Sequence, residues 1–86
     1  RPDSAAILDS MGWVLYRQGD LAQAASYLRR ALQLNQDDEI AAHLGEVLWV
    51  SGKHADARAV WREGLEHAPD SDKIRSAIER LQASYQ

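Results

Sequence analysis

The sequence contains no cysteine, no phenylalanine and only two prolines among its 86 residues. Without cysteine it forms no disulfide and offers no thiolate to a metal, and cysteine usage leaves its cellular compartment open. It lacks the run of about 18 apolar residues that a membrane-spanning helix requires. With a formal charge of −3 it also lacks the positive excess that binds nucleic-acid phosphates. These absences argue against a disulfide scaffold, a membrane span and a nucleic-acid partner.

Alanine and leucine are abundant instead, and hydrophobic residues make up 45% of the chain. Both are strong helix formers, and the small alanine side chain lets helices pack closely. A chain of 86 residues suffices for one small domain with a modest core, but hardly for a deep catalytic cavity as well. We therefore expect an all-α domain.

The sequence repeats itself with a period of 33 residues. At this shift the aligned pairs are Gly12 with Gly45, Val14 with Val47, Leu15 with Leu48, Gly19 with Gly52, Ala22 with Ala55, Ala24 with Ala57, Arg29 with Arg62 and Leu32 with Leu65. A period of this size is typical of stacked helical hairpins. We predict repeat one at residues 5–37, repeat two at 38–70 and a closing helix at 71–85.

Apolar residues recur along each repeat with the i, i+3, i+4, i+7 spacing of one-sided helices. In repeat one they are Leu8, Met11, Gly12 and Leu15, then Leu21, Ala24, Leu28, Ala31 and Leu32. In repeat two they are Ile40, Leu44, Gly45, Val47 and Leu48, then Ala57, Val60, Trp61, Gly64 and Leu65, with Ile74, Ile78 and Leu81 on the closing helix. We expect these residues to form the core.

Glycines and capping residues mark the helix ends. Gly19 and Gly52 fall between the two helices of each repeat, where glycine can take the positive φ that ends a helix. The segments 2–4, 37–38 and 71–72 supply Asp and Ser oxygens that cap the helices after them.

Two further glycines, Gly12 and Gly45, lie inside helices, where glycine destabilises by about 1 kcal/mol relative to alanine. A helix tolerates this loss where its neighbour crosses too closely for a Cβ. We expect Ala24 to lie over Gly12 and Ala57 over Gly45. Trp61 aligns with an interior leucine of repeat one, so we assign it to the core.

Repeat one thus carries Leu8, Met11-Gly12, Leu15-Tyr16, Gly19, Ala24, Leu28 and Ala31, and repeat two carries Leu44-Gly45, Leu48-Trp49, Gly52, Ala57, Trp61 and Pro69. This pattern resembles the tetratricopeptide repeat (TPR) from about Pro2 to Gln86. It departs from the family at Gln36, where a loop proline is usual, at Ala41 and at Gly64. The resemblance implies a right-handed superhelical stack of antiparallel helix pairs, here with about five helices.

In stacks of this kind the first helix of each pair lines a concave surface. The resemblance implies that this surface takes up a peptide or protein segment. The candidate partner-binding residues are Asp9, Trp13, Tyr16, Arg17, Ala42, Glu46, Trp49, Lys73 and Arg80. Trp, Tyr and Arg are typical of binding hot spots. The alternative is that Tyr16 and Trp49 fill the seam between repeats and that the charged residues only solvate helix surfaces.

No constellation of residues indicates catalysis or a cofactor. His43 and Glu46 are three residues apart on one helix, but two ligands do not make a tight metal site. His54 and His67 lie near the two ends of a different helix. The sequence has no phosphate-binding glycine loop and no HExxH spacing. We therefore expect no enzyme activity, no cofactor and no metal.

The amino-acid sequence of the repeats also resembles the C-terminal TPR stretch of bacterial proteins. Several of those are envelope lipoproteins that act as adaptors for a periplasmic protease or cell-wall enzyme. The resemblance implies the end of a longer array from a periplasmic adaptor, with a cytoplasmic parent as the alternative. At the N-terminal edge we expect Ile7, Leu8, Leu15 and Leu21 to be partly exposed, which favours self-association as a competing, structural role.

Overall fold

The computed structural model describes residues 4–85, and these residues form five α-helices joined by turns and short loops. The helices are α1 (Ala5–Arg17), α2 (Leu21–Leu34), α3 (Asp38–Val50), α4 (His54–His67) and α5 (Asp72–Tyr85). The predicted all-α class is confirmed. Helices α1 and α2 form one antiparallel pair, α3 and α4 form the next, and α5 packs against α3 and α4. The exact repeat boundaries stay a prediction.

The turn inside each pair has the predicted glycine. Gly19 has a φ of 89° and Gly52 a φ of 85°, in the left-handed region that favours glycine. After α1 the backbone N–H of Asp20 donates to Leu15 O at 2.9 Å, and that of Gly19 donates to Tyr16 O at 3.0 Å. These two bonds satisfy carbonyls that the end of α1 would otherwise leave open. Each glycine thereby reverses the chain so that the second helix returns along the first.

Two of the three predicted caps are confirmed. The carboxylate of Asp37 accepts the backbone N–H of Glu39 at 2.7 Å, and the hydroxyl oxygen of Ser71 accepts that of Ile74 at 3.1 Å. Ser4 precedes α1, but its side chain makes no capping hydrogen bond, so that part of the prediction is wrong. The two residues before Ser4 lie outside the described part of the chain. Among the described residues, α1 therefore begins without a side-chain cap of the kind that α3 and α5 have.

Helix α3 lies at the centre of the molecule and packs against all four other helices. Most of the predicted core is buried around it, including every predicted residue of α3 itself. Met11 is an exception, because it faces outward on α1 and is exposed. Ala77 of α5 is buried although we did not assign it to the core. Since α3 is covered on several sides, a one-sided stripe describes α1 better than α3.

The close helix crossings occur at the predicted glycines, and the atoms nearest to the two glycines belong to Trp61 and Leu28. A Cβ built on Gly45 would lie 1.9 Å from Trp61 Nε1, and one built on Gly12 would lie 2.7 Å from Leu28 Cγ. Trp61, one turn further along α4 than Ala57, therefore lies nearest to Gly45, and the position of Ala57 over Gly45 stays a prediction. Over Gly12, the Ala24 carbonyl oxygen would also lie 3.2 Å from the added Cβ, so Ala24 shares that contact with Leu28.

The N-terminal edge is only partly as expected. Ile7 is exposed, while Leu15 and Leu21 are partly buried. Leu8 is fully buried, so its predicted exposure is wrong. It packs in a small cluster with Ile40, which closes the contact between the two repeats.

Candidate functional site

Helices α1, α3 and α5 together line a cleft of about 250 Å³, which we term the central cleft. Its lining residues are Trp13 from α1, Glu39, Ala42, His43 and Glu46 from α3, and Lys73, Ala77 and Arg80 from α5. Five of these eight residues were candidates from the sequence, and Glu39, His43 and Ala77 were not. The cleft thus lies along the first helices of the two repeats and the closing helix.

Two stacked rings form one wall of the central cleft. The Trp13 and His43 ring centroids are 4.1 Å apart with an interplanar angle of 23°. Asp9 Oδ1 lies 2.8 Å from His43 Nδ1 and fixes the orientation of the imidazole. On its other side Trp13 contacts Tyr16, with ring centroids 4.8 Å apart. Asp9 therefore orients His43 without lining the cleft itself. The indole of Trp13 is only partly buried and faces the cleft.

Two ion pairs cross from α3 to α5, and we term them the ion-pair rungs. In the first rung Lys73 Nζ lies 3.3 Å from Glu39 Oε1, and in the second Arg80 Nη2 lies 2.8 Å from Glu46 Oε1. The rungs are one heptad apart on both helices, which is about 10 Å along a helix axis. Between the rungs lie two small lining side chains, Ala42 on α3 and Ala77 on α5. They leave the floor of the cleft open.

The second rung also reaches α1. The hydroxyl of Tyr16 donates to Glu46 Oε2 at 2.9 Å, and Glu46 is only 8% exposed. Burial, together with this hydrogen bond to Glu46, raises the pKa of Tyr16 to about 12. The hydrogen bond to Glu46 likewise raises the pKa of the Arg80 guanidinium. One buried carboxylate therefore ties three helices together, since its charge is met by a hydroxyl on one side and a guanidinium on the other.

The raised pKa of Tyr16 predicts that the wild-type protein loses stability in alkali. The Tyr16→Phe variant should not show this loss. Folding raises the pKa of Tyr16 from 10.0 to about 12, so the folded state holds this proton longer than the unfolded state. The contribution is complete below pH 10 and is lost as the pH rises from 10 towards 12. Urea unfolding followed by circular dichroism at several alkaline pH values measures this decline.

At neutral pH we expect Tyr16→Phe to lower the free energy of unfolding by about 1 kcal/mol, the net value of one hydrogen bond. Its free energy of unfolding should then fall less with rising pH than that of the wild type. Tyr27→Phe on α2 is the matched control and should keep the wild-type decline. Equal declines in all three proteins would contradict a pH-dependent role for Tyr16.

Other candidates from the sequence lie away from the central cleft. Trp49 is 7% exposed and stacks on His54, with ring centroids 3.9 Å apart. Its ring centroid is also 5.7 Å from that of Trp61, so Trp49 packs between α3 and α4. This corrects its assignment to the concave face, because the large ring faces its own partner helix. Arg17 is exposed in the last turn of α1 and does not line the cleft. Tyr16 is half-buried and bridges the two repeats.

Two of the residues that the sequence prediction missed, His43 and Glu39, belong to polar pairs with a common spacing. Asp9 and His43, Glu39 and Lys73, and Glu46 and Arg80 are each 34 residues apart, one residue more than the period of the sequence. Each pair therefore joins neighbouring first helices at nearly equivalent positions. Complementary polar residues at this separation are a signal that could have identified His43 and Glu39 before the structure was known.

In the part of the chain that the structure describes, no helix is long and apolar enough to cross a membrane. Over the same residues, no three His, Cys, Asp or Glu side chains form a group that could hold a metal ion. His43 and Glu46, the pair of possible ligands in the sequence, both line the central cleft, and each is engaged by a different partner.

Comparison with known proteins identifies the family. The tetratricopeptide repeat profile matches residues 15–83, so the chain belongs to this family, whose helical repeats mediate protein–protein interaction. Over 45 residues, 52% of the chain, it is 69% identical to the TPR repeat-containing protein PA4667 of Pseudomonas aeruginosa. Over 49 residues, 57% of the chain, it is 35% identical to an uncharacterized protein of Aquifex aeolicus. The matches cover only 8% and 6% of those two proteins.

Proposed function

We propose that this chain is the part of a longer bacterial adaptor that binds an extended peptide segment of another protein in the central cleft. The observation that carries the proposal is the position of Trp13, a partly exposed indole at the wall of a cleft that also holds exposed hydrogen-bonding groups. Interfaces concentrate their binding energy in such aromatic anchors. The two bacterial relatives are both much longer than the match, which supports a longer parent protein.

The dimensions of the cleft favour a peptide over a small metabolite. Its volume of about 250 Å³ is below the roughly 300–1,000 Å³ of pockets that enclose drug-sized ligands. The charged residues of its floor and far side, such as Glu46 and Arg80, engage one another. We therefore propose a binding role without catalysis.

Replacing Trp13 with alanine should reduce peptide binding at least about tenfold, a loss typical of a hot-spot aromatic. The fold should survive, because Trp13 is partly exposed and its principal contacts are two rings at the surface of the cleft. Peptides selected from a random display library on the immobilised wild type supply the ligand. Fluorescence anisotropy of the labelled peptides then gives the dissociation constants.

Arg62→Ala, at an exposed position of α4 outside the central cleft, is the matched control and should bind like the wild type. Circular dichroism melting of both variants separates loss of binding from loss of fold. Peptides that bind Trp13→Ala as tightly as the wild type would refute the proposal.

A second candidate role is self-association, and an exposed apolar stripe on α1 favours it. The stripe consists of Ile7 and Met11, each 41% exposed, and Val14, 53% exposed. One period later the chain carries Ile40, Leu44 and Val47, which are 4%, 1% and 0% exposed. In repeat two, the equivalent apolar residues are buried. The exposed stripe on α1 therefore has the apolar character of a surface that another repeat covers.

If the stripe pairs with a second copy of the chain, Val14→Glu should remove the association. We expect sedimentation velocity to show a concentration-dependent dimer for the wild type and a monomer for the variant, because a charge at such a contact loses its hydration. Ser26→Glu, which adds the same charge at an exposed position of α2, is the control. A wild type that stays monomeric at high concentration would exclude this role.

A further inference from the structure

The four charged residues that line the central cleft balance one another. Glu39 and Glu46 supply two negative charges, and Lys73 and Arg80 supply two positive charges, in two ion pairs. A carboxylate entering the cleft would meet a cation that already has an acidic partner, and it would approach that partner too. A cationic side chain would meet a carboxylate that already has a cationic partner, and it would approach that partner too. The lining therefore offers no net charge by which to select an acidic or a basic ligand.

Each rung nevertheless has unused hydrogen-bonding capacity. Lys73 carries three N–H donors and Arg80 five. The half-exposed Glu39 keeps further lone pairs, whereas both oxygens of the buried Glu46 are already bonded. Lys73 and Arg80 have side chains that are 59% and 60% exposed, so these donors are accessible from solvent. A peptide group presents one N–H and one C=O. The first rung can bond both, and Arg80 of the second rung can donate to the C=O, without breaking either ion pair. The rungs thus match the backbone of a ligand better than a charged side chain.

The distance between the rungs sets a register. They are about 10 Å apart along the helices, and an extended peptide advances about 3.4 Å per residue. About three consecutive ligand residues therefore span the interval. The side chain of the central residue would lie above Ala42 and Ala77, whose small side chains leave the floor open, and beside the Trp13 ring. A cleft of about 250 Å³ accommodates one large side chain there.

From this geometry we infer that the central cleft selects a large uncharged side chain, aromatic or aliphatic, from an extended peptide whose neighbouring peptide groups bind the two ion-pair rungs. The inference rests on the proposed function and adds the chemical class of the ligand. The stacked Trp13 and His43 rings both line the cleft and offer aromatic contacts to such a side chain. Because the rungs keep their partners, binding depends little on ionic strength.

The test uses four capped peptides, acetyl-Gly-Ser-X-Ser-Gly-amide, in which X is Trp, Leu, Glu or Lys. Each is titrated into the isotopically labelled chain, and amide and indole resonances are followed by nuclear magnetic resonance, which detects weak binding. We expect the Trp and Leu peptides to shift Ala42, Ala77 and the Trp13 indole, with dissociation constants at least about tenfold below those of the Glu and Lys peptides. Raising sodium chloride from about 50 mM to about 500 mM should change them less than about twofold, since screening acts on charge recognition.

Two results overturn this inference without touching the proposed function. One is tighter cleft binding by the Glu or Lys peptide, and the other is an affinity for the uncharged peptides that falls steeply with salt. An absence of cleft shifts with all four peptides overturns it as well, and the library selection against Trp13→Ala then decides the proposed function separately. Library peptides that bind the chain outside the cleft refute both. Trp13→Ala should lose the cleft shifts, and circular dichroism verifies its fold.

Discussion

Gly45→Ala should destabilise the protein by about 2–3 kcal/mol, although alanine is the better helix former. The added Cβ would lie 1.9 Å from Trp61 Nε1 and 2.4 Å from Trp61 Cε2, far inside van der Waals contact. The indole cannot turn away, because Trp61 is fully buried and its ring packs against Trp49. Either the ring or the helix pair has to move, and we expect a cost at or above the upper end of the usual overpacking range of about 1–3 kcal/mol, because the ring is rigid and buried. The gain in helix propensity, about 1 kcal/mol, offsets only part of this.

Thermal unfolding should therefore show a melting temperature about 10 °C or more below that of the wild type. Gly12→Ala is the matched comparison, since its Cβ would meet Leu28 Cγ at 2.7 Å, an aliphatic side chain without a rigid ring. We expect a smaller loss there. In a Trp61→Leu background, which copies the residue at the equivalent place in repeat one, Gly45→Ala should cost at least about 1 kcal/mol less. Additive losses would show that the Trp61 ring is not the obstacle.

Ile74→Ala should remove about 2–4 kcal/mol and loosen α5. The side chain of Ile74 is fully buried, and its Cδ1 would lie 2.7 Å from a Cβ built on Gly64. Ile74 thus fills space that the missing side chain of Gly64 leaves free. Truncating it creates a cavity, and buried isoleucine to alanine substitutions usually cost about this much. Since α5 carries Lys73 and Arg80, we also expect peptide binding to weaken.

The matched control is Ile78→Ala, the same substitution one turn further along α5, where the side chain is only partly buried. Urea unfolding followed by circular dichroism gives both free energies, and the Ile78 variant should lose clearly less. Amide hydrogen exchange then reports whether α5 opens before the other helices in Ile74→Ala. Equal losses in the two variants would contradict a specific role for the contact with Gly64.

Much of the fold could be predicted from periodicity because each repeat has the same local requirements. The i, i+3, i+4 stripes locate the helices, and Gly19 and Gly52 locate the turns through the positive φ that glycine tolerates. The interior glycines could be recognised as crossing points. Their nearest neighbours, Leu28 and Trp61, could not, because periodicity identifies the face of the second helix but not which residue on it reaches furthest. Trp61 covers Gly45 owing to its size, a property of tertiary packing.

The candidate site was less predictable than the fold, because tertiary packing also decides which side chains reach the cleft. Trp13 could be recognised as a cleft residue from its type and its place on the first helix. Trp49 has the same type and a similar place, but it lies on the side of α3 that meets α4, so burial rather than residue type decides its role. The positions of His43 and Glu39 depend on Asp9 and Lys73, which lie on other helices.

The polar pairs between successive first helices have a consequence for the order of units in a stack. At many equivalent positions the two repeats carry the same apolar residue type, and such positions do not by themselves distinguish one neighbour from another. Asp9 with His43, and Glu46 with Arg80, are different chemical pairs at successive junctions. An exchanged or duplicated helix would leave one of these side chains facing the wrong partner, and such a mismatch penalises incorrect arrangements. The polar pairs at the junctions thus specify which helix packs next to which. The same side chains also form the surface where another protein would bind.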